Sequence, residues 1–287
     1  MSLYKHIYQL ILKKLHFKHN KKWREKMIGL FKDSIEVFLI FFIRLHKEVP
    51  PPKYIRKSGM LQIRYEQEDI QTLCLIKIGR IISSLNAILV LLKNGHIIEI
   101  AVLLRTIKEC NSELNFLLED YPTDKLTSPQ EQYIKEFFTE EFEDPSDPIK
   151  TSRKHNRVGA KKIHAGSARE LYNMSDFIKD PKLKAKIKKI ANPSDTQEIT
   201  QKILNLFSGY VHYGYSQSSE LIGDSPPKYH LSGFLGTSKM NEWIDNLITE
   251  FDGLYNLFRF LCYKFDFQEE YIIITNKQFD FQKTTGL

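Results

Sequence analysis

The stretch EQEDIQTLCLIKIGRIISSLNAILVLLKNGHIIEIAVLLRTIKECNSELNFLLED, residues Glu66–Asp120, decides the fold. Its apolar residues recur at intervals of three and four positions, first as far as Leu92 and again from Ile97 onwards. That spacing is typical of amphipathic helices. Between the two runs lies Lys93-Asn94-Gly95, and an Asn-Gly pair suits a helix end followed by a tight turn. The stretch therefore predicts a long antiparallel helical hairpin.

Helical spacing continues on both sides of this hairpin. It predicts further helices at Asp33–Lys47, Glu131–Phe142 and Lys239–Phe265. Near the end of the sequence, Tyr271–Thr275 and Gln278–Phe281 flank a two-residue turn, which favours a small β-hairpin. We therefore predict an all-α fold, a helical bundle built on the antiparallel hairpin, with a small C-terminal β-hairpin as the candidate strand element.

A proline run divides the sequence into two predicted units. Pro50–Pro52 breaks the chain because proline lacks a backbone N–H and excludes the α conformation before it. Residues 1–49 would carry a basic helix and an apolar helix, and residues 53–287 a helical-bundle domain with a charged excursion at about 119–192.

The first helix of that N-terminal unit is predicted to be basic and amphipathic. Its apolar residues have helical spacing and its lysines lie between them; the apolar set is Leu3, Ile7, Leu10, Ile11 and Leu15. Packing onto the body of the protein or onto a second subunit is the usual fate of such a helix. Attachment to a membrane surface is the alternative.

Charge is distributed in blocks along the chain. Residues 1–33 carry a net charge of +7, residues 119–148 carry −8 and residues 150–189 carry +10. Two basic blocks separated by an acidic one either bind an anionic polymer or membrane, or neutralise one another within the fold or across a dimer. The sequence leaves both interpretations open.

Composition excludes several functional classes. The three cysteines, Cys74, Cys110 and Cys262, are isolated in apolar contexts and are expected to be buried free thiols of a reducing cytosol. The longest apolar run, Val37–Ile43, is far shorter than the roughly 20 residues of a membrane span, so we expect no transmembrane helix and a cytoplasmic location. Phosphate-binding glycine loops, zinc helices and nucleophile elbows are missing, and we expect neither a cofactor nor a metal.

Two polar features interrupt the apolar helices. Arg105 and Glu109 are four residues apart and share one helix face, where an ion pair forms easily and where a partly buried arginine also suits a phosphate. The second feature is FSGYVHYGYSQSS, Phe207–Ser219. On a helix its His212, Ser216 and Ser219 lie on one side, with Ser208 one turn earlier, and Tyr210 and Tyr213 are expected to be supporting residues.

Both features have a structural and a functional interpretation. The ion pair and the histidine can simply satisfy one another inside the bundle. Alternatively, His212 transfers a proton near neutral pH while Arg105 stabilises developing negative charge. A third candidate, Arg157 with His164, flanks Lys161 and Lys162 in a basic segment that is either a solvated loop or a nucleic-acid contact.

Asn94–Asp120 and Leu206–Leu221 together resemble a group of prokaryotic helical proteins in which a helix with Arg-x-x-x-Glu precedes one with Ser-x-x-Val-His. These are similar to the HEPN superfamily of toxin and phage-defence systems. That resemblance implies a helical bundle that dimerises and cleaves RNA without metal through an Arg-x(4–6)-His motif. Arg157 and His164 match this spacing, although Val158 stands where a polar residue is usual.

The resemblance also suggests a variant site formed by Arg105, Glu109 and His212. The expected function is that of a defence or toxin-type protein that acts on RNA or binds it, as a homodimer or with a partner protein of the same system. The alternative is a non-enzymatic helical module, in which the polar residues fix bundle packing and the charged blocks dock a protein.

Overall fold

A computed structural model describes residues 21–57, 60–119, 121–122, 126–138, 210–211, 219–223 and 228–287. The described ranges contain six α-helices: α1 Lys21–Glu48, α2 Ile70–Asn94, α3 Ile97–Leu118, α4 Ser128–Phe138, α5 Ser238–Lys264 and α6 Gln268–Thr285. Four short strands form two antiparallel pairs: β1 Lys53–Lys57 with β2 Met60–Arg64, and β3 Ile222–Gly223 with β4 Lys228–Tyr229. The described part is mostly helical, which confirms the predicted fold class.

The predicted antiparallel hairpin is formed by α2 and α3. The Asp69 side chain caps α2 by accepting a hydrogen bond of 2.8 Å from the Thr72 amide. Gly95 ends the helix in the left-handed conformation with φ of 77°. A Cβ atom there would lie 2.7 Å from the Leu235 amide nitrogen, so glycine also permits the loop before α5 to approach.

Helix α1 packs through a row of phenylalanines. Phe31, Phe38 and Phe41 are fully buried, and the Phe38 ring stacks on Phe258 of α5 with 4.4 Å between ring centroids. The described part of the helix includes residues 21–32, before the predicted start at Asp33, because Met27 and Phe31 are buried on its inner face. Residues 1–20 lie outside the described ranges.

One hydrophobic core joins the long helices. Buried residues of α1 belong to the same cluster as those of α2, α3, α5 and α6. The predicted break at Pro50–Pro52 lies between α1 and the β1–β2 strand pair. The sequence pattern did not predict these two strands. The proline run therefore ends a helix and leads into a hairpin.

The predicted C-terminal β-hairpin is wrong in its position. Residues 268–285 form helix α6 instead, because Ile274, Gln278 and Phe281 lie on one face and are buried. Gln278 is satisfied in this interface, since its amide donates hydrogen bonds of 3.0 and 2.9 Å to Asp252 and Asn256 of α5. Tertiary contacts thus override the strand preference of the isoleucine-rich sequence.

One described helix, α2, is long and apolar enough by length and composition to cross a membrane. Half of its most apolar window is buried, and the helix packs between α1 and α3. A helix in the core of a helical bundle has the same length and composition.

Three buried cysteine thiols make the stability of the fold depend on pH. Burial raises the pKa of Cys110 to about 11 and of Cys262 to about 12, from an ordinary value of 9.0, and raises that of Cys74 further. The folded state therefore favours the neutral thiol, and this contribution to stability is complete below about pH 9. It is lost as the pH rises through the folded-state values.

We expect the free energy of unfolding in urea to decrease between pH 9 and 11. Native protein at pH 8 should react slowly with a thiol reagent, and all three thiols should react at once after unfolding. In Cys110→Ala the free energy of unfolding should decrease less steeply with pH than in the wild type. Rapid reaction of three thiols in the native state would contradict the burial that underlies this prediction.

Candidate functional site

Helices α3 and α5 run side by side in the same direction. At their beginnings the Phe234 amide donates a hydrogen bond of 2.8 Å to the Gly95 carbonyl. Further along, the Lys108 ammonium lies 2.5 Å from a carboxylate oxygen of Glu250. The two helices are therefore parallel, and matched positions can be identified along them. We refer to Arg105, Lys108 and Glu109 of α3 with Trp243 and Glu250 of α5 as the α3–α5 surface.

The predicted Arg105–Glu109 ion pair is present on this surface. Arg105 Nε donates to Glu109 Oε1 at 2.9 Å, which is the (i, i+4) geometry of a helix face. The two side chains are 26% and 43% exposed. Within the described ranges Glu109 is the ion-pair partner of Arg105, and it engages Nε alone. The two terminal nitrogens of the guanidinium can therefore bind a pair of phosphate oxygens.

Lys108 and Glu250 were not singled out from the sequence. Their side chains are 30% and 15% exposed, and they join α3 to α5 directly. Lys108 follows Arg105 by three residues, so the two cations are neighbours on α3. The (i, i+3) spacing was visible in the sequence, but the partner on α5 is 142 positions away and no local pattern indicates it.

Tyr210 is held in place by α5 and by the residues before β3. Its hydroxyl donates a hydrogen bond of 2.7 Å to Glu220, and its ring packs edge-on against Trp243 at 6.0 Å. Lys239 in turn pairs with Glu220 at 3.5 Å. Burial, followed by the hydrogen bond to Glu220, raises the pKa of Tyr210 well above its ordinary value. The Tyr210 hydroxyl is therefore neutral at physiological pH.

The positions along the two helices place Trp243, the residue that Tyr210 contacts, about one turn closer to the beginning of the helices than Arg105. Trp243 and Glu250 are seven residues apart, which is almost two turns and about 10 Å on one side of α5. Because Lys108 contacts Glu250, Arg105 lies one turn back along α3, towards the level of Trp243. The Tyr210 ring covers Trp243. Tyr210 thus contacts α5 about one turn from the level of Arg105.

The other predicted site residues lie outside the described residues. These are His212, Ser208, Tyr213 and Ser216, together with Arg157, Lys161, Lys162 and His164. The structure therefore brings Arg105 and Glu109 together on α3 and places Tyr210 against Trp243 of α5. It does not describe the position of His212, two residues after Tyr210 in the sequence.

A second polar cluster lies between α2 and α3. Lys77 and Glu113 form an ion pair of 2.6 Å, and Phe137 of α4 covers the ammonium at 4.9 Å. Every member of this cluster is engaged with another, so it anchors α4 on the hairpin. The described ranges contain no group of three or more histidine, cysteine, aspartate or glutamate residues suited to a metal ion.

Comparison with known protein families gives a match over most of the helical core. Residues 71–262 fit the model of a family of unknown function, DUF5677. The chain belongs to this family. The match extends from the beginning of α2 to the last turn of α5, so it includes the α3–α5 surface and Tyr210 and leaves out α1 and α6. No curated protein and no solved structure matches the chain.

Proposed function

We propose that this DUF5677 protein binds RNA at the α3–α5 surface and acts on it as a defence or toxin-type protein. The observation that supports the proposal is Arg105, whose side chain is one-quarter exposed and whose Nε is bound to Glu109. Glu109 orients the guanidinium through one nitrogen and leaves the other two for a phosphate group. This arrangement is typical of sites that recognise phosphates through paired donors.

The reaction that fits these residues is metal-independent cleavage of RNA. His212 takes the proton of a ribose 2′-hydroxyl, the 2′-oxygen bonds to the adjacent phosphorus, and the bond to the 5′-oxygen breaks. The departing 5′-oxygen takes up a proton from the protonated His212, which returns to its neutral form, so the products are a 2′,3′-cyclic phosphate and a 5′-hydroxyl. Arg105 stabilises the negative charge that develops on the phosphoryl oxygens. Tyr210 positions the segment that carries His212.

The basic segment Arg157, Lys161, Lys162 and His164 is proposed to contact phosphates outside the reacting bond. Such contacts are weakened by salt because binding releases counterions. Assembly as a homodimer and a cytoplasmic location remain predictions of the sequence interpretation.

Expression in bacteria is the experiment that tests the proposed activity. Wild-type protein should slow growth and fragment total RNA, whereas Arg105→Ala and His212→Ala should permit normal growth with intact RNA. Arg44→Ala is the matched control, since Arg44 also pairs with a glutamate four residues on at 2.9 Å but lies on α1. Equal growth and intact RNA for wild type and every variant would contradict cleavage.

The same assay separates the two candidate motifs. Arg157→Ala combined with His164→Ala should leave growth inhibition largely in place if Arg105 and His212 carry the reaction. Loss of growth inhibition in this double variant alone would indicate that Arg157 and His164 of the basic segment carry the reaction instead.

A non-enzymatic interaction module is the second candidate, and the β1–β2 hairpin favours it. Tyr54 and Ile63 are cross-strand partners that are 71% and 54% exposed, and Leu61 is 65% exposed. An exposed apolar face of this kind is typical of a protein contact. If this interpretation holds, a partner protein should co-purify from the native host with wild-type protein and be lost with Ile63→Asp.

A further inference from the structure

An acidic groove lies between α1 and α6, outside the region that matches the family. The two helices are antiparallel, since Arg44 lies 4.0 Å from Glu270 at one end while Phe31 faces Phe281 at the other. The groove between them has a volume of about 400 Å³. It is a depression along a pair of helices, which is the shape that accepts a third helix.

The groove combines an apolar floor with acidic walls. Its floor includes Val37 and Phe281, and the partly exposed Ile40 continues the apolar surface. The carboxylates of Asp33, Glu36 and Asp280 line it against one base, Lys277. A complementary ligand is therefore apolar on one side and positively charged on the other.

Two of these carboxylates make no ion pair within the described residues. Among the described residues, neither Asp33 nor Asp280 has an ion-pair partner, and Glu36 makes a loose pair of 3.4 Å with the exposed Lys32. Burial is the main cause of the raised pKa of Tyr255, and the nearby carboxylates of Asp33 and Asp280 contribute to it. A cation placed in the groove would therefore gain attraction without first breaking a strong ion pair.

Residues 1–20 have the chemistry that the groove requires. They contain four lysines and no acidic residue, and their apolar positions from Leu3 to Leu15 have the spacing of an amphipathic helix. They are joined directly to Lys21, the first described residue of α1. Asp33 lies twelve residues further on, about 18 Å along that helix, which a returning helix of about twelve residues can span.

We propose that residues 1–20 of this chain dock in the groove between α1 and α6 as a basic amphipathic helix. The apolar side of the segment covers Val37, Ile40 and Phe281, and its lysines approach Asp33 and Asp280. The docked segment thereby forms a three-helix arrangement with α1 and α6. This inference does not depend on the proposed RNA function.

Hydrogen exchange of the full chain tests the docking. In wild-type protein the amides of residues 3–15 should exchange at least tenfold more slowly than in an unstructured peptide, at every protein concentration. Asp33→Asn with Asp280→Asn should remove most of this protection while leaving that of α2 unchanged. Glu99→Gln with Glu242→Gln, which replaces two exposed acids elsewhere, should have no effect.

A charge exchange provides the decisive variant. Replacing Lys5, Lys13 and Lys14 with glutamate should also remove the protection, and adding Asp33→Lys with Asp280→Lys should restore it. Unprotected amides in the wild type would overturn the proposal. So would protection that survives the aspartate substitutions, or protection that increases with protein concentration, because the latter would place the segment on a second copy.

Discussion

Replacing Phe38 with alanine is expected to lower the free energy of unfolding by about 3–5 kcal/mol. The Phe38 ring is fully buried and stacks on Phe258 at 4.4 Å with an interplanar angle of 7°. It also meets Tyr255 edge-on at 4.9 Å. Truncation removes these contacts and leaves a cavity between α1 and α5, and rigid aromatic neighbours fill such a cavity poorly. Urea unfolding of the purified variant measures the loss.

Phe279 provides the matched control for this prediction. It lies on α6 and is 66% exposed, so Phe279→Ala makes the same chemical change without opening a core cavity. We expect a change within about 0.5 kcal/mol. Equal losses for the two variants would mean that α1 is not part of the core and that the fold begins at α2.

Replacing Arg105 with glutamine is expected to weaken binding of a short single-stranded RNA about tenfold or more. Hydrogen bonds from a charged donor to a phosphate contribute about 1.5–3 kcal/mol, and each 1.4 kcal/mol is a factor of ten in affinity. Glutamine keeps a polar side chain at this position but loses the charge and the paired donors. Fluorescence anisotropy with labelled RNA at low salt measures the affinity.

Two further variants make this result specific. Arg44→Gln removes an arginine with the same (i, i+4) pairing at 2.9 Å, and it should leave the affinity nearly unchanged. Glu109→Gln keeps Arg105 but weakens its orientation, so an intermediate loss is expected. A similar loss of RNA affinity for Arg44→Gln and Arg105→Gln would indicate a general charge effect and would contradict binding at the α3–α5 surface.

Local sequence patterns were sufficient for the central part of the fold. The run up to Leu92, the turn at Gly95 and the second run from Ile97 are all dictated by residues that are neighbours in the chain. The Arg105–Glu109 pair was equally predictable, because it lies on one helix face and needs no partner from elsewhere.

Features that depend on distant contacts were not predictable in this way. The α6 sequence has three successive isoleucines, and its buried Gln278 hides the helical period. The buried Gln278 side chain is stabilised by two hydrogen bonds to α5. The local sequence pattern does not indicate these bonds. The Lys108–Glu250 pair was missed for the same reason. The β1–β2 hairpin was missed because basic residues interrupt its short apolar alternation.

Ultraviolet crosslinking of RNA to the wild-type protein, followed by mass spectrometry of the modified peptides, tests the central claim most directly. If RNA occupies the α3–α5 surface, crosslinks should map to the peptide that contains Arg105 and Glu109 and to the peptide that follows Tyr210. Both should disappear in Arg105→Gln and persist in Arg44→Gln. Crosslinks that are absent from both peptides in the wild type would contradict the account.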